Sequence, residues 1–267
     1  MLSTMKKYYV DGPMGQVHVR ELGAGPALVL LHQTAWSSLQ FKNAMPYLAA
    51  AGFRCIAIDT PGYGLSDGPD DPPSIQDYAE SLAVTLDQLN IDQAAVLGHH
   101  TGVSIATAFA AKYPEKVGQL LLHGVPIYTP EKRAERLARP HFDQTPRADG
   151  SHLTDRWGLA NTVSGGSASP EAIHWSLVQF FWAGPNEWFG HHAAFSYDID
   201  VDYKALTVPT VVISNTGDVL HERMPYLRET RPDFTFAELD GGTFHIIFDE
   251  PERWAALVVD HVRGAAS

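Results

Sequence analysis

Short apolar runs alternate with helical patterns along this 267-residue chain, and this alternation restricts the fold more than any other feature. Most of the runs are apolar at consecutive positions, which is typical of strands buried on both faces of a parallel sheet. A hairpin over residues 6–10 and 16–20 precedes them, with a turn that contains Gly and Pro. We predict buried strands at residues 27–31, 54–58, 94–97, 117–122, 210–214 and 235–239.

Helical patterns lie between these strands. We predict helices at residues 39–50, 75–89, 103–112 and 252–262. Strands that alternate with helices indicate a mostly parallel α/β sheet with right-handed crossovers.

The alternation stops between about residues 126 and 202, where no buried strand is predicted and aromatic residues accumulate. A segment rich in Gly and Ser at 164–170 divides this region into two helical portions. We therefore predict a helical cap at 126–202, inserted into a core formed by 1–125 and 203–267. Most of the aromatic residues would form the core of the cap, and some would face the carboxyl edge of the sheet, where open α/β sheets bind ligands.

Composition excludes several classes of protein. Hydrophobic residues make up 45% of the chain and charged residues 19%, as in ordinary globular proteins. Residues 1–11 lack the apolar segment of a secretory signal, and we expect a cytoplasmic protein. A net charge of -12 disfavours nucleic acid and anionic membranes as partners. The partner that we expect is a small-molecule substrate.

One segment, Gly98-His99-His100-Thr101-Gly102, follows an apolar run and precedes a helix rich in small residues. A sharp turn between a strand and a helix needs such glycines, which let the two elements approach closely and leave the central residue strained and exposed. His100 stands at that central position. The pattern therefore indicates an exposed imidazole that is available for chemistry.

Four segments resemble those of the α/β-hydrolase superfamily, in the expected order and over essentially the whole chain. They are residues 30–34, 59–67, 98–102, and 209–218 together with 241–245. The resemblance implies an α/β-hydrolase fold, with a mostly parallel eight-stranded sheet flanked by helices and an inserted helical cap. It places the active site between the cap and the sheet.

The resemblance also assigns roles to individual residues. Asp218 and His245 match the acid and the histidine of a catalytic triad, so Asp218 is expected to orient His245 and to stabilise its protonated form. The expected oxyanion hole consists of the backbone amides of Thr101 and of Gln33 or Thr34, although Gln33 replaces the usual Gly. Trp36, in the same loop, is a further candidate for substrate binding.

The resemblance places His100 where the family usually has a nucleophilic Ser, Cys or Asp, and His100 has two alternative roles. In the first, its neutral imidazole attacks a carbonyl, and water activated by His245 hydrolyses the acyl-imidazole. In the second, which we favour, the two histidines act as acid and base without a covalent step. Two adjacent imidazoles do not both hold a proton, because like charges lower one pKa, and this leaves one base and one acid.

The predicted function is that of a cofactor-independent hydrolase of a small apolar or aromatic ester, lactone or carbon–carbon bond next to a carbonyl. The alternatives are a cofactor-free lyase, isomerase or oxygenase in which the histidine pair abstracts a proton, and a ligand-binding protein without turnover. A metal site is not expected, since His32, His99, His123 and His245 have no recognised ligand spacing.

Overall fold

Eight strands form one sheet in the computed structural model, which describes residues 4–262. They are β1 (Lys6–Gly12), β2 (Gly15–Leu22), β3 (Ala27–Leu31), β4 (Arg54–Ile58), β5 (Ala94–His99), β6 (Val117–His123), β7 (Thr210–Asn215) and β8 (Thr235–Leu239). Their order is β1-β2-β4-β3-β5-β6-β7-β8. β2 pairs antiparallel with both β1 and β4, and every other neighbouring pair is parallel. The predicted strands and the mostly parallel sheet are confirmed.

The helices are α1 (Met45–Ala50), α2 (Ile75–Gln88), α3 (Thr101–Lys112), α4 (Pro130–Leu137), α5 (Ser151–Val163), α6 (Pro170–Ala183), α7 (Phe189–Ser196), α8 (Ile199–Ala205), α9 (Met224–Thr230), α10 (Ile246–Asp249) and α11 (Pro251–His261). The helix predicted at 39–50 is divided into a 3-10 turn at Ser38–Phe41 and α1. The reason is Pro46, which lacks an N–H and fits only the first turn of a helix.

Two helical layers cover the two faces of the sheet. In β3, Leu28 and Leu30 pack in the cluster that contains α11, whereas Val29 and Leu31 pack in the cluster that contains α2 and α3. Burying such a side chain fully stabilises the fold by about 1.5–3 kcal/mol. The consecutive apolar positions in the sequence follow from this burial on both faces.

The five helices α4 to α8 lie between β6 and β7, and we call them the helical insert. The Gly- and Ser-rich segment at 164–170 separates α5 from α6, where the Ser169 side chain accepts a hydrogen bond from the N–H of Ala172. α8 packs against α3 and contributes Ile199 and Tyr203 to the core. No helix within residues 4–262 has the length and apolar character needed to cross a membrane. The cytoplasmic location stays a prediction.

Candidate active site

The sharp turn after β5 places His100 at the carboxyl edge of the sheet. His100 has φ 50° and ψ -110°, a strained conformation for a residue with a side chain. A Cβ on Gly98 would lie 2.2 Å from the carbonyl oxygen of Gly102, and a Cβ on Gly102 would lie 2.2 Å from that of Leu31. The strand and the helix therefore approach this closely only because both positions are glycine.

Asp218 forms a hydrogen bond with His100, and we call these two residues the His100–Asp218 pair. Nε2 of His100 lies 2.6 Å from Oδ2 of Asp218, and Oδ1 of Asp218 accepts the N–H of Leu220 at 2.8 Å. Burial alone would raise the pKa of Asp218, but the His100 ring and the Leu220 N–H hold that pKa below its usual value. Because Asp218 is ionised, Nε2 of His100 donates the proton, which leaves the lone pair of the neutral ring on Nδ1.

The hydrogen bond predicted between Asp218 and His245 is not formed. Neither ring nitrogen of His245 has a hydrogen-bond partner in the described part of the chain. The ring is 2% exposed and packs 5.7 Å from Trp36 and 4.2 Å from Phe244, measured between ring centroids. Burial, with a further contribution from His100, lowers the pKa of His245 to about 4.

This correction has a simple geometric reason. An imidazole extends further from the backbone than a hydroxyl, so the side chain at the turn reaches Asp218 directly. Oδ2 of Asp218 bonds to His100 in place of His245, and Oδ1 accepts the N–H of Leu220. His245 is therefore buried and is not hydrogen-bonded to the His100–Asp218 pair in this structure, and the catalytic roles of the three residues stay predictions.

A cavity of about 290 Å³ lies between the sheet edge and the helical insert. Five predicted site residues line it: Gln33, Thr34, Trp36, His100 and Thr101. Asp218 and His245 are not among the described residues that form its wall. His100 is thus the titratable group that the pair presents to a bound molecule, with 17% of its side chain exposed.

Two backbone amides remain candidates for an oxyanion hole. Thr101 is the first residue of α3, so its N–H has no intrahelical acceptor and lies at the positive end of the helix dipole. The N–H of Gln33 already donates to Oε1 of Gln40 at 3.1 Å, which leaves Thr34 as the second candidate. His32 holds this loop, because one of its ring nitrogens donates to the carbonyl of Gln33 and the other accepts the N–H of Thr60.

The other histidines near the pair have structural contacts. His123 hydrogen-bonds to Oδ1 of Asn215 and accepts the indole N–H of Trp254. His99 accepts a hydrogen bond from Gln40, and its Nε2 has no partner among residues 4–262. Ligand atoms of His99, His100 and Asp218 lie within 4.8 Å of one another.

A metal ion at this group of His99, His100 and Asp218 would have to replace the 2.6 Å hydrogen bond between His100 and Asp218. The arrangement therefore suits proton transfer better than metal binding. The expectation that no metal is used stays a prediction.

The helical insert supplies cavity residues that were not predicted. Arg136, Arg156 and Glu187 line the wall. On α5, Arg156 shares one face with Ala160 and Val163, which also line the cavity. Arg156, Ala160 and Val163 have the i, i+4, i+7 spacing of one helix face. A charged residue on an otherwise apolar face is the signal that could have identified Arg156. Burial raises the pKa of Glu187 to about 7, although Arg156 opposes this, and no sequence pattern marks Glu187.

A model of the alpha/beta hydrolase fold family matches residues 26–251. With the sheet order and the turn at His100, this match defines the class: the chain belongs to the α/β-hydrolase-fold family.

Two curated relatives are enzymes. Over 129 residues, 46% of this chain, it is 36% identical to bifunctional epoxide hydrolase 2 of Mus musculus. Over 121 residues, 43% of this chain, it is 41% identical to 2-hydroxy-6-oxononadienedioate/2-hydroxy-6-oxononatrienedioate hydrolase of Burkholderia vietnamiensis. The matched segments span 23% and 41% of the lengths of these relatives, so the chain covers less than half of either.

Solved structures share the fold over nearly the whole chain. An epoxide hydrolase from an endophytic Streptomyces superposes with a TM-score of 0.76 at 21% identity, covering 96% of this chain and 94% of that one. E-2-(acetamidomethylene)succinate hydrolase superposes with a TM-score of 0.79 at 20% identity, covering 98% and 100%. At these identities the likeness concerns the fold alone.

Proposed function

We propose that the protein is a cofactor-independent hydrolase of a small apolar or aromatic ester, lactone or carbon–carbon bond next to a carbonyl. The observation that carries the proposal is the His100–Asp218 pair, whose His100 ring lines a cavity beside the amide of Thr101. The relatives support it, since both act by hydrolysis according to their names.

In the proposed mechanism, Nδ1 of His100 removes a proton from a water molecule as the water oxygen attacks the substrate carbonyl. Asp218 stabilises the imidazolium that forms, because its carboxylate accepts the Nε2–H. The N–H groups of Thr101 and Thr34 stabilise the tetrahedral oxyanion, and each such donor contributes roughly 3–4 kcal/mol. Collapse of the intermediate breaks the bond to the leaving group, which takes the proton back from Nδ1.

His245 takes no proton in this mechanism, which departs from the triad that the sequence predicted. Its low pKa, near 4, makes it a poor base at neutral pH, and it does not belong to the described cavity wall. We assign it a positioning role, in which its ring supports Trp36. Trp36 itself is proposed to bind the substrate, since it lines the cavity.

The test is turnover of a panel that contains 4-nitrophenyl esters, the aromatic lactone dihydrocoumarin and an acylpyruvate with a carbon–carbon bond between carbonyls. The protein is expected to hydrolyse at least one of them, and His100→Gln is expected to lose about 100-fold or more in kcat. His174→Gln is the matched control, since His174 is exposed on α6 and does not line the described cavity. Equal turnover by His100→Gln, or no hydrolysis of any member, would contradict the proposal.

Proton abstraction from carbon is the second candidate, as in a lyase, an isomerase or an oxygenase. The same site could serve this reaction, because abstraction needs one base and an oxyanion hole, which His100 and the Thr101 amide at the cavity wall would supply. Deuterium exchange from solvent into unreacted ketone, lost in His100→Gln, would support this candidate. A covalent adduct on His100 in a quenched reaction would instead support nucleophilic attack.

A further inference from the structure

Two arginines of the helical insert have no polar partner in the part of the chain that the structure describes. Within residues 4–262, Arg136 and Arg156 form neither a hydrogen bond nor an ion pair, and Nε of each is buried. Each of the other arginines in that range forms one or the other. A shortage of carboxylates is not the cause, because the chain has 31 acidic residues and 19 Lys and Arg.

Aromatic rings hold both guanidinium groups. Cζ of Arg156 lies 4.1 Å from the ring centroid of Phe180, and Cζ of Arg136 lies 5.8 Å from that of Tyr128. An aromatic ring interacts with the flat face of a guanidinium, which leaves the N–H donors in its plane free for other acceptors. Both arginines are half-buried, and a partly dehydrated charge without a protein partner is less stable than a paired one. A bound molecule that supplies acceptors to these N–H groups would therefore be stabilised here.

The cavity carries positive charge in a chain that is strongly negative overall. Glu187 is the one carboxylate among the described residues that line it, and it forms no ion pair with Arg156. With its pKa near 7, Glu187 is partly protonated at neutral pH and neutralises only part of the charge of the two arginines. An anion that enters the cavity therefore meets a favourable field.

We propose that Arg156 and Arg136 bind a carboxylate of the substrate on the insert side of the cavity. The planar donor fork of Arg matches the two oxygens of a carboxylate. The inference rests on the proposed function in one respect, that the bond to be cleaved lies at His100. The substrate class is then an ester, lactone or ketone that carries a carboxylate, joined to the reacting carbonyl by an apolar or aromatic spacer.

Binding measured by calorimetry tests the subsite without turnover. The probes are 4-phenylbutanoate and its neutral isostere 4-phenylbutanamide. The protein is expected to bind the carboxylate about 10- to 100-fold more tightly than the amide. Arg156→Gln is expected to remove this preference, and Arg136→Gln is expected to reduce it. The affinity for the amide should change little in either variant. The control variant is Arg253→Gln, because Arg253 pairs with Glu250 and is not among the described residues that line the cavity. This variant should retain the preference for the carboxylate.

Equal binding of the two probes by the native protein, or an unchanged preference in Arg156→Gln, would overturn the proposal. If Arg156→Gln does not fold, Arg156→Lys keeps the charge without the fork and is expected to retain part of the preference. Added salt should also weaken binding of the carboxylate probe and leave binding of the amide probe unchanged. A carboxylate affinity that changes neither with added salt nor with Arg156→Lys would refute the subsite.

The two proposals fail separately. Carboxylate preference without hydrolysis of any ester, lactone or acylpyruvate would refute the proposed function alone. Hydrolysis of neutral esters without carboxylate preference would refute the subsite alone. His100→Gln is expected to keep the binding preference, since His100 is not part of the proposed subsite.

Discussion

Replacing Asp218 with Asn should abolish most of the activity while the protein remains folded. Oδ1 of Asp218 accepts the N–H of Leu220 at 2.8 Å, so the amide oxygen of Asn is expected to take that place. Its NH2 group then faces Nε2 of His100, and two donors cannot share a hydrogen bond. The His100 ring therefore changes tautomer, so that Nε2 accepts the hydrogen bond and Nδ1 carries the proton. A protonated Nδ1 cannot remove the proton from water.

The expected loss is roughly 100- to 10,000-fold in kcat, the usual range for a positioned general base. Stability should change by about 1 kcal/mol or less, because the substitution keeps the shape of the side chain and removes a buried charge. The assay is the kcat of the best panel substrate, with circular dichroism melts on the same samples. Asp260→Asn, at an exposed position of α11, is the matched control.

Activity within about threefold of the native protein in Asp218→Asn would refute the reasoning. A loss of activity that only follows a loss of fold would refute it as well. The control should show neither change.

Three further predictions concern the turn, the buried histidine and the cavity. Gly102→Ala should lower the free energy of unfolding by about 1–3 kcal/mol, because the added Cβ meets the backbone of Leu31. Gly158→Ala in α5 should raise the free energy of unfolding slightly, because the added Cβ meets no described atom within 4 Å. Urea denaturation of the two variants measures both changes. The pKa of His245 is about 4 when folded and near 6.5 when unfolded, so the unfolded chain binds the proton first and stability falls as the pH decreases from 6.5 to 4. His245→Leu should reduce this loss by about 2 kcal/mol between pH 7 and pH 5, and parallel curves for both proteins would contradict the assignment. Affinity for 4-phenylbutanoate should fall above pH 7 as Glu187 ionises beside Arg156, and Glu187→Gln should remove that fall in a calorimetric titration series.

The fold could be predicted because strands buried on both faces require consecutive apolar residues, as in β3 and β5. The position of His100 could be predicted as well, since the close approach of strand and helix requires Gly98 and Gly102. These features depend on local sequence alone. Pro46, which divides the helix predicted at 39–50, is a local signal that the prediction overlooked.

The contacts within the site were harder to predict, because they depend on side-chain reach and on packing between distant segments. Chain order suggested that Asp218 orients His245, but order does not include the extra length of an imidazole at position 100. The direction of Arg156 depends on how α5 packs against α6 within the helical insert, and helical periodicity alone does not determine this.

The hydrogen-bonded proton between His100 and Asp218 provides the most direct test of the central claim. In protein labelled with nitrogen-15 at histidine, NMR should detect a strongly downfield N–H proton on Nε2 of His100. This resonance should disappear in Asp218→Asn and persist in His245→Gln. A downfield proton that belongs to His245 instead, or one that persists in Asp218→Asn, would contradict the account.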